Sequence, residues 1–299
     1  MTTHTGFSIS GCRKQRTLKH PVSFSGIGVH TGREVTMRFL PAPENTGIYF
    51  KRVDLPDQPV IPAKVQYVCD TQRSTTLGIG SIRIHTVEHV LAALRAFNID
   101  NLCIEISNIE PPIGDGSSKV FVEMIEEAEI FEQTAEQQIR KLLQPIYWMD
   151  ENIQVVALPY EGFRISYTLN YPSSTLLKAQ FHSIVLNSDS FCKEVASCRT
   201  FSLYEEVEVM IDRGLIKGGS LDNAVVIQRN PEQQDVVFSK EGLRFPDEMV
   251  RHKVLDLVGD LSLVGFPFDA HILAIRAGHT SNFQLAKKIY SLCTEDPHV

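Results

Sequence analysis

Each half of this 299-residue chain reads as short strands, one convincing helix and a further strand, and each helix carries a His near its start. In the first half, Val35 to Leu40, Gly47 to Lys51 and Ile82 to Ile84 alternate like strands. A helix follows in which Thr86 is the expected N-cap and Val87, Val90, Leu91 and Leu94 fall at helical spacing. Leu102 to Ile106 then reads as a strand. In the second half, Ile153 to Leu158 and Phe163 to Leu169 lead to a helix over Glu248 to Val264 and a strand over Ala270 to Ile275. A polar lead of about a dozen residues precedes the first strands, and the charged stretch Met124 to Lys141 has few apolar anchors. The boundary is therefore expected near residue 137, giving halves 14–136 and 137–299. A site where two similar halves face each other suits the preference of pockets for domain interfaces.

Length allows one large domain or two of roughly 150 residues each, and 43% hydrophobic content suffices for a core. The net charge of -7 argues against duplex nucleic acid as a partner, while a few local cations would still serve a small anionic substrate. No run of eighteen apolar residues occurs, so no membrane span is expected. The opening MTTHTGFSISGCRKQR lacks the apolar middle of a secretory signal, and a cytoplasmic location is expected. The six cysteines are scattered without a CxxC pair, excluding a ribbon-type zinc site and a disulfide framework.

Two clusters could carry chemistry. His85-Thr86-Val87-Glu88-His89 has the form H-x-x-E-H, which in a metallopeptidase puts both histidines on metal. With Thr86 as N-cap, His85 lies before the helix and only Glu88 and His89 occupy its first turn. There the positive helix end favours an ionised carboxylate and a neutral imidazole. The alternative is a solvated helix start. In Glu248 to Val264, the residues Val254, Leu257, Val258 and Leu261 form one apolar face. Opposite it His252, Asp256 and Asp260 recur every four residues, with Gly259 giving close access. A solvated face would more often carry Lys and Glu, and His with Asp at i and i+4 can grip one cation.

Together, His89, His252 and Asp256 make three N/O ligands, the number typical of catalytic zinc, with the fourth position open to water. Glu88 beside a ligand could take that water's proton, which points to amide or ester hydrolysis. His279, in the Gly-flanked loop Ala277 to Asn282, becomes a candidate acid, with Asp260 fixing its tautomer. Gly26 to Gly32 and Lys217 to Ser220 are not P-loops; they read as tight turns, with phosphate contact the alternative. Glu110 to Ser117 reads as a rigid turn.

The ordered motifs Lys14 to Leu18, Gly26 to Gly32, Thr86 to His89, Pro112 to Ser117, Arg199 to Phe201, Gly218 to Asn223, His252 to Asp256 and Gly278-His279 resemble the UDP-3-O-acyl-N-acetylglucosamine deacetylases of lipid A synthesis. The resemblance spans residues 14 to 285. It implies an α+β fold of two similar two-layer domains, helices packed on a sheet, with the active site between them. It also implies zinc, with iron(II) fitting the same ligands, on His89, His252 and Asp256, and Glu88 as base. His279 would protonate the amine with support from Asp260, Thr200 would help hold the oxyanion, and Lys253 would contact substrate. Val195 to Asp222, including Phe201, would line an acyl-chain tunnel. The implied partner is a UDP-linked acylated glucosamine, met by a monomer. Ser202 stands where Gly is frequent and Asp222 where Glu is frequent, and Asn230 to Lys240 is longer than usual; none is a proposed ligand.

Overall fold

The structure is a computed structural model that describes residues 6–230 and 233–294. The first five residues of the polar lead, two in the long stretch Asn230 to Lys240 and the last five of the chain lie outside the described residues. Among the described residues there are six α-helices: α1 (Glu88–Ala96), α2 (Lys119–Ala128), α3 (Ser188–Glu194), α4 (Tyr204–Asp212), α5 (Glu248–Ser262) and α6 (His279–Thr294).

A five-stranded sheet occupies the first half, in the order Val22–Ile27, Glu34–Pro41, Leu102–Ile106, Ile48–Arg52, Val60–Pro62. Its strands show why they form. Val35, Met37 and Phe39 are buried while Glu34, Thr36 and Arg38 face outward, the period-two pattern of a strand with one face on the core. Leu102–Ile106 lies between two neighbours and is apolar almost throughout. A seven-stranded sheet is centred on Phe268–Ile275, which pairs antiparallel with Ile153–Leu158 and parallel with Phe163–Leu169. Helix α5 packs on Phe163–Leu169 and α6 on Ile153–Leu158, so helices layer on sheets and the molecule is α+β. Two small three-stranded sheets complete it, Val68–Asp70 with Thr76–Ile79 and Ile82–Ile84, and Phe201–Leu203 with Val225–Gln228 and Val236–Phe238.

Two local expectations change. The described part of the polar lead is mostly strand: Phe7–Leu18 pairs antiparallel with Ile130–Leu142, from Phe7 against Leu142 to Leu18 against Ile130. Both strands expose many side chains, so a polar sequence suffices and the apolar signal of a strand is missing. Residue 137 falls inside that ladder, opposite Arg13. Finally, Thr86 does not cap α1. Its φ is +55°, the helix begins at Glu88 after Val87, and no side chain caps it. Val87 N–H instead donates to the Thr75 carbonyl at 3.3 Å, so the entry to α1 is fixed by the neighbouring loop.

Candidate active site

The site begins where α1 and α5 touch. Gly259 lies against the first turn of α1 so closely that a Cβ there would stand 2.1 Å from the Glu88 carbonyl oxygen. The missing side chain brings the His- and Asp-bearing face of α5 onto Glu88 and His89. That face is not solvated: His252, Asp256 and Asp260 are buried, as are Val254, Leu257, Val258 and Leu261 behind them.

His89, His252 and Asp256 each offer one donor atom, all within 4.8 Å of one another. Asp256 Oδ1 is 3.3 Å from His252 Nε2 and 3.6 Å from His89 Nε2. His252 Nδ1–H donates to the Cys198 carbonyl at 3.0 Å, which turns the Nε2 lone pair toward Asp256. Burial pulls the His252 pKa down to about 4, so the ring is neutral near pH 7. Burial pushes the Asp256 carboxyl up, but His252 and the Lys253 ammonium, 2.8 Å from Oδ2, hold it well below its ordinary range. A neutral imidazole lone pair and a carboxylate facing each other at this distance repel unless a cation lies between them. The donor chemistry therefore fits a divalent ion of the zinc type, with His and carboxylate ligands.

A second group, Glu88, Asp260 and His279, lies beside the first and is also buried. Glu88 Oε2 accepts from the Thr75 N–H at 3.0 Å, and Oε1 stands 4.0 Å from His279 Nε2. Burial raises the Glu88 pKa. Asp260 is saturated: Oδ2 accepts from His279 Nδ1 at 2.9 Å and Asn282 Nδ2 at 2.9 Å, and Oδ1 from the Thr75 hydroxyl at 2.6 Å. Burial works against a charged His279, but the Asp260 carboxylate, followed by Glu88 and Asp256, outweighs it and lifts the pKa to about 9. The two groups thus hold a neutral imidazole, His252, and a protonated one, His279, on the same cavity. Thr75 and Asn282 had no signal in sequence spacing, because a loop and a late helix bring them in.

Both groups open into a cavity of about 680 Å³. Thr200, Phe201 and Lys253 line it, with Lys253 Nζ 5.6 Å from the centre of the Phe201 ring. Thr200 is fixed by its backbone, its N–H donating to Gly116 O at 2.8 Å and its carbonyl accepting from Val225 N at 2.9 Å. Next to it, buried Arg199 is clamped by Glu248, Nε to Oε1 at 2.8 Å and Nη2 to Oε2 at 3.0 Å. That clamp holds the turn carrying the Cys198 carbonyl that orients His252. Away from the two His- and acid-bearing groups the wall turns apolar, with Leu203, Val207, Met210, Ile211 and Leu221 from the 195–222 segment.

The first glycine loop encloses a carboxyl side chain of the protein itself. Thr31 N–H and hydroxyl donate to Glu110 Oε1 at 2.7 and 2.6 Å, and His30 N–H to Oε2 at 3.2 Å. A Cβ on Gly28 would stand 1.9 Å from that carboxylate, and one on Gly218 2.3 Å from Gly28 O. The first loop is tight because it wraps Glu110, and the second packs on the first, its Lys217 and Gly218 N–H groups donating to the His30 and Val29 carbonyls.

His85 stands apart. It follows strand Ile82–Ile84, its Nδ1 is 2.9 Å from the Thr76 hydroxyl, and it belongs to neither group of candidate ligands among the described residues. The peptidase-like use of H-x-x-E-H has no support in this geometry.

Comparison with known proteins agrees on one family. Residues 15–291 match the family model described as UDP-3-O-acyl N-acetylglycosamine deacetylase. UDP-3-O-acyl-N-acetylglucosamine deacetylases are similar to this chain along nearly their whole length. That of Chlamydia felis is 51% identical over 277 residues, covering 93% of this chain and 97% of the relative. That of Chlamydia pneumoniae is 50% identical over 278 residues with the same coverage. That of Chlamydia trachomatis serovar L2 is 47% identical over 277 residues, covering 93% and 95%. With a match along almost all of its length and half of its residues shared, the chain belongs to the UDP-3-O-acyl-N-acetylglucosamine deacetylase family.

Proposed function

We propose that the protein is a zinc-dependent amidohydrolase that removes the N-acetyl group from UDP-3-O-acyl-N-acetylglucosamine, releasing acetate, in lipid A biosynthesis. The observation that carries this reading is the placing, within one cavity, of the His89, His252 and Asp256 donor set beside Glu88 and a His279 that the Asp260 carboxylate keeps charged.

His89, His252 and Asp256 would hold the ion; iron(II) suits the same donors. When bound, such an ion supplies a Lewis acid that polarises the amide carbonyl and makes a water easier to deprotonate. Glu88 has one oxygen fixed by the Thr75 N–H and the other free to accept the proton of the attacking water. Thr200, at the cavity wall, would face the oxygen that gains charge. His279, charged and anchored through Nδ1, points Nε2 toward Glu88 and would protonate the departing amine. Asp260 keeps that imidazole in its tautomer. Lys253 and Phe201 would hold the substrate, and the apolar wall would take the acyl chain.

The reading includes a monomer working in the cytoplasm on a UDP-linked acylated sugar; among the described residues no helix is long and apolar enough to cross a membrane. The test is deacetylation of UDP-3-O-acyl-GlcNAc before and after chelation. Activity should vanish on chelation and return with zinc or iron(II), and His89→Ala or Asp256→Ala should lose metal stoichiometry. Full turnover by rigorously metal-free protein would sink the proposal.

A further inference from the structure

On the side of α1 and α5 away from the catalytic groups lies a second cavity, of about 240 Å³. Its walls come from both halves of the chain: Arg13, Lys64, Arg95 and Asp100 from one, Ser262 and Gly265 from the other. Its charge is lopsided. Arg13 and Asp100 cancel through two bonds of 2.6 and 2.8 Å. Among the described residues Lys64 and Arg95 form no direct ion pair; the Asp100 and Asp269 carboxylates favour the Arg95 charge only from a distance, so the lining keeps a cationic excess in a protein of net charge -7.

Arg95 is the more costly of the two. Its guanidinium lies 5.1 and 5.4 Å from the ring centres of Phe163 and Phe268 and reaches the Phe268 carbonyl only at 3.5 Å. Burial, followed by the nearby Arg13 charge, draws the pKa of this half-buried residue down to about 10, and Asp100 and Asp269 pull the other way without restoring it. The carbonyls closing the two helices do not answer it, because Arg95 O accepts from Asn98 N at 3.1 Å and Ser262 O from Gly265 N at 3.0 Å.

We propose that this cavity is a regulatory site for a small oxyanion, a phosphate or carboxylate held between Lys64 and Arg95. The volume is below the ~300–1,000 Å³ of pockets for drug-sized ligands, so it suits a compact anion rather than a nucleotide. Its position links it to catalysis. Arg95 is in the last turn of the helix that begins with Glu88 and His89, and Ser262 ends the helix that carries His252, Asp256 and Asp260. Val65 N–H, next to Lys64, donates to Leu263 O at 2.7 Å, tying the Lys64 segment to the end of α5. An anion drawing Lys64 and Arg95 together acts on both helices, whose close contact at Gly259 sets the catalytic geometry.

The inference goes beyond the deacetylase reading, and its binding arm does not depend on it. Metal-loaded protein would be titrated calorimetrically with inorganic phosphate and, separately, with succinate; the tighter binder identifies the class of oxyanion. Lys64→Gln removes one cation from an exposed position and leaves basal kcat/KM unchanged. It should weaken binding of the preferred anion by about tenfold. In the wild type, saturation with that anion should shift kcat/KM by about fivefold or more, and in Lys64→Gln it should not. Equal binding of both anions by wild type and Lys64→Gln overturns the site. Lys64-dependent binding with an unchanged kcat/KM overturns its regulatory role. Arg95→Met provides the second arm if it folds.

Discussion

Which of two buried imidazoles can give up a proton is decided by the group facing each. His252 faces a carbonyl through Nδ1 and loses its charge to burial, whereas His279 faces the Asp260 carboxylate and keeps it. If Glu88 is the base and His279 the acid, the pH profile of turnover is a bell. Its acid limb follows Glu88, whose pKa burial raises above the usual carboxylate range, and its basic limb follows loss of the His279 proton. His279 is active below its pKa of about 9 and inactive above it, and a bound cation moves that limb downward. Asp260→Asn removes the charge that raises the pKa, so the basic limb should move to lower pH while metal is retained. Glu88→Ala should keep its metal and lose on the order of 10²-fold or more in kcat. His279→Ala should lose mainly kcat and also the basic limb; if that limb survives, the acid is another group. His252 and Asp256 were legible because helical spacing puts them on one face, and His89 because it stands beside Glu88 in a first helical turn. Thr75, 185 positions from the Asp260 it supports, was not, since loop residues carry no periodicity that a single sequence exposes.

At the scale of elements, the decisive feature is the contact between the two helices, and a glycine controls it. Gly259→Ala would drive a methyl into the Glu88 carbonyl, 2.1 Å away, where both partners are helical backbone and neither can swing aside. The helices must separate. This overpacking should cost about 1–3 kcal/mol of stability and lower metal affinity together with kcat, because His89 moves away from His252 and Asp256. Thermal unfolding and metal stoichiometry would check both, and a variant with wild-type metal content would refute the proposed role of the contact. The helices themselves were legible from apolar periodicity, but the start of α1 was misplaced. Thr86 is a good cap by type, yet the chain needs a residue at φ +55° there to bring Glu88 and His89 into the cavity. Tertiary placement overrode local preference. The misplacement leaves the separation of His85 intact, since its ring is engaged with Thr76. His85→Ala should therefore keep metal content and most activity, and loss of metal equal to that in His89→Ala would restore the peptidase-like arrangement.

Over the whole molecule, the ladder between Phe7–Leu18 and Ile130–Leu142 decides how the halves behave. The mixed strand and helix class was legible, but this ladder was not, because two half-exposed, charged strands look like solvated chain. We propose that 14–136 and 137–299 are two packing units that unfold as one. Residues 7–13, which lead into the first unit, pair with 137–142 of the second, the α1–α5 contact joins their cores, and the proposed metal would draw His89 from one and His252 with Asp256 from the other. Trp148, the only tryptophan, lies in strand Ile146–Asp150 of the second unit and reports on it alone, while far-UV circular dichroism reports on both. The two signals should give one coincident transition in denaturant. Metal at about 1,000 times its Kd should add about 4 kcal/mol to the stability of both units together. Chelation should then lower the single midpoint for both probes by the same amount. A Trp148 transition that separates from the circular dichroism transition, with or without metal, would show that the units fold independently and that the shared ladder is too weak to couple them.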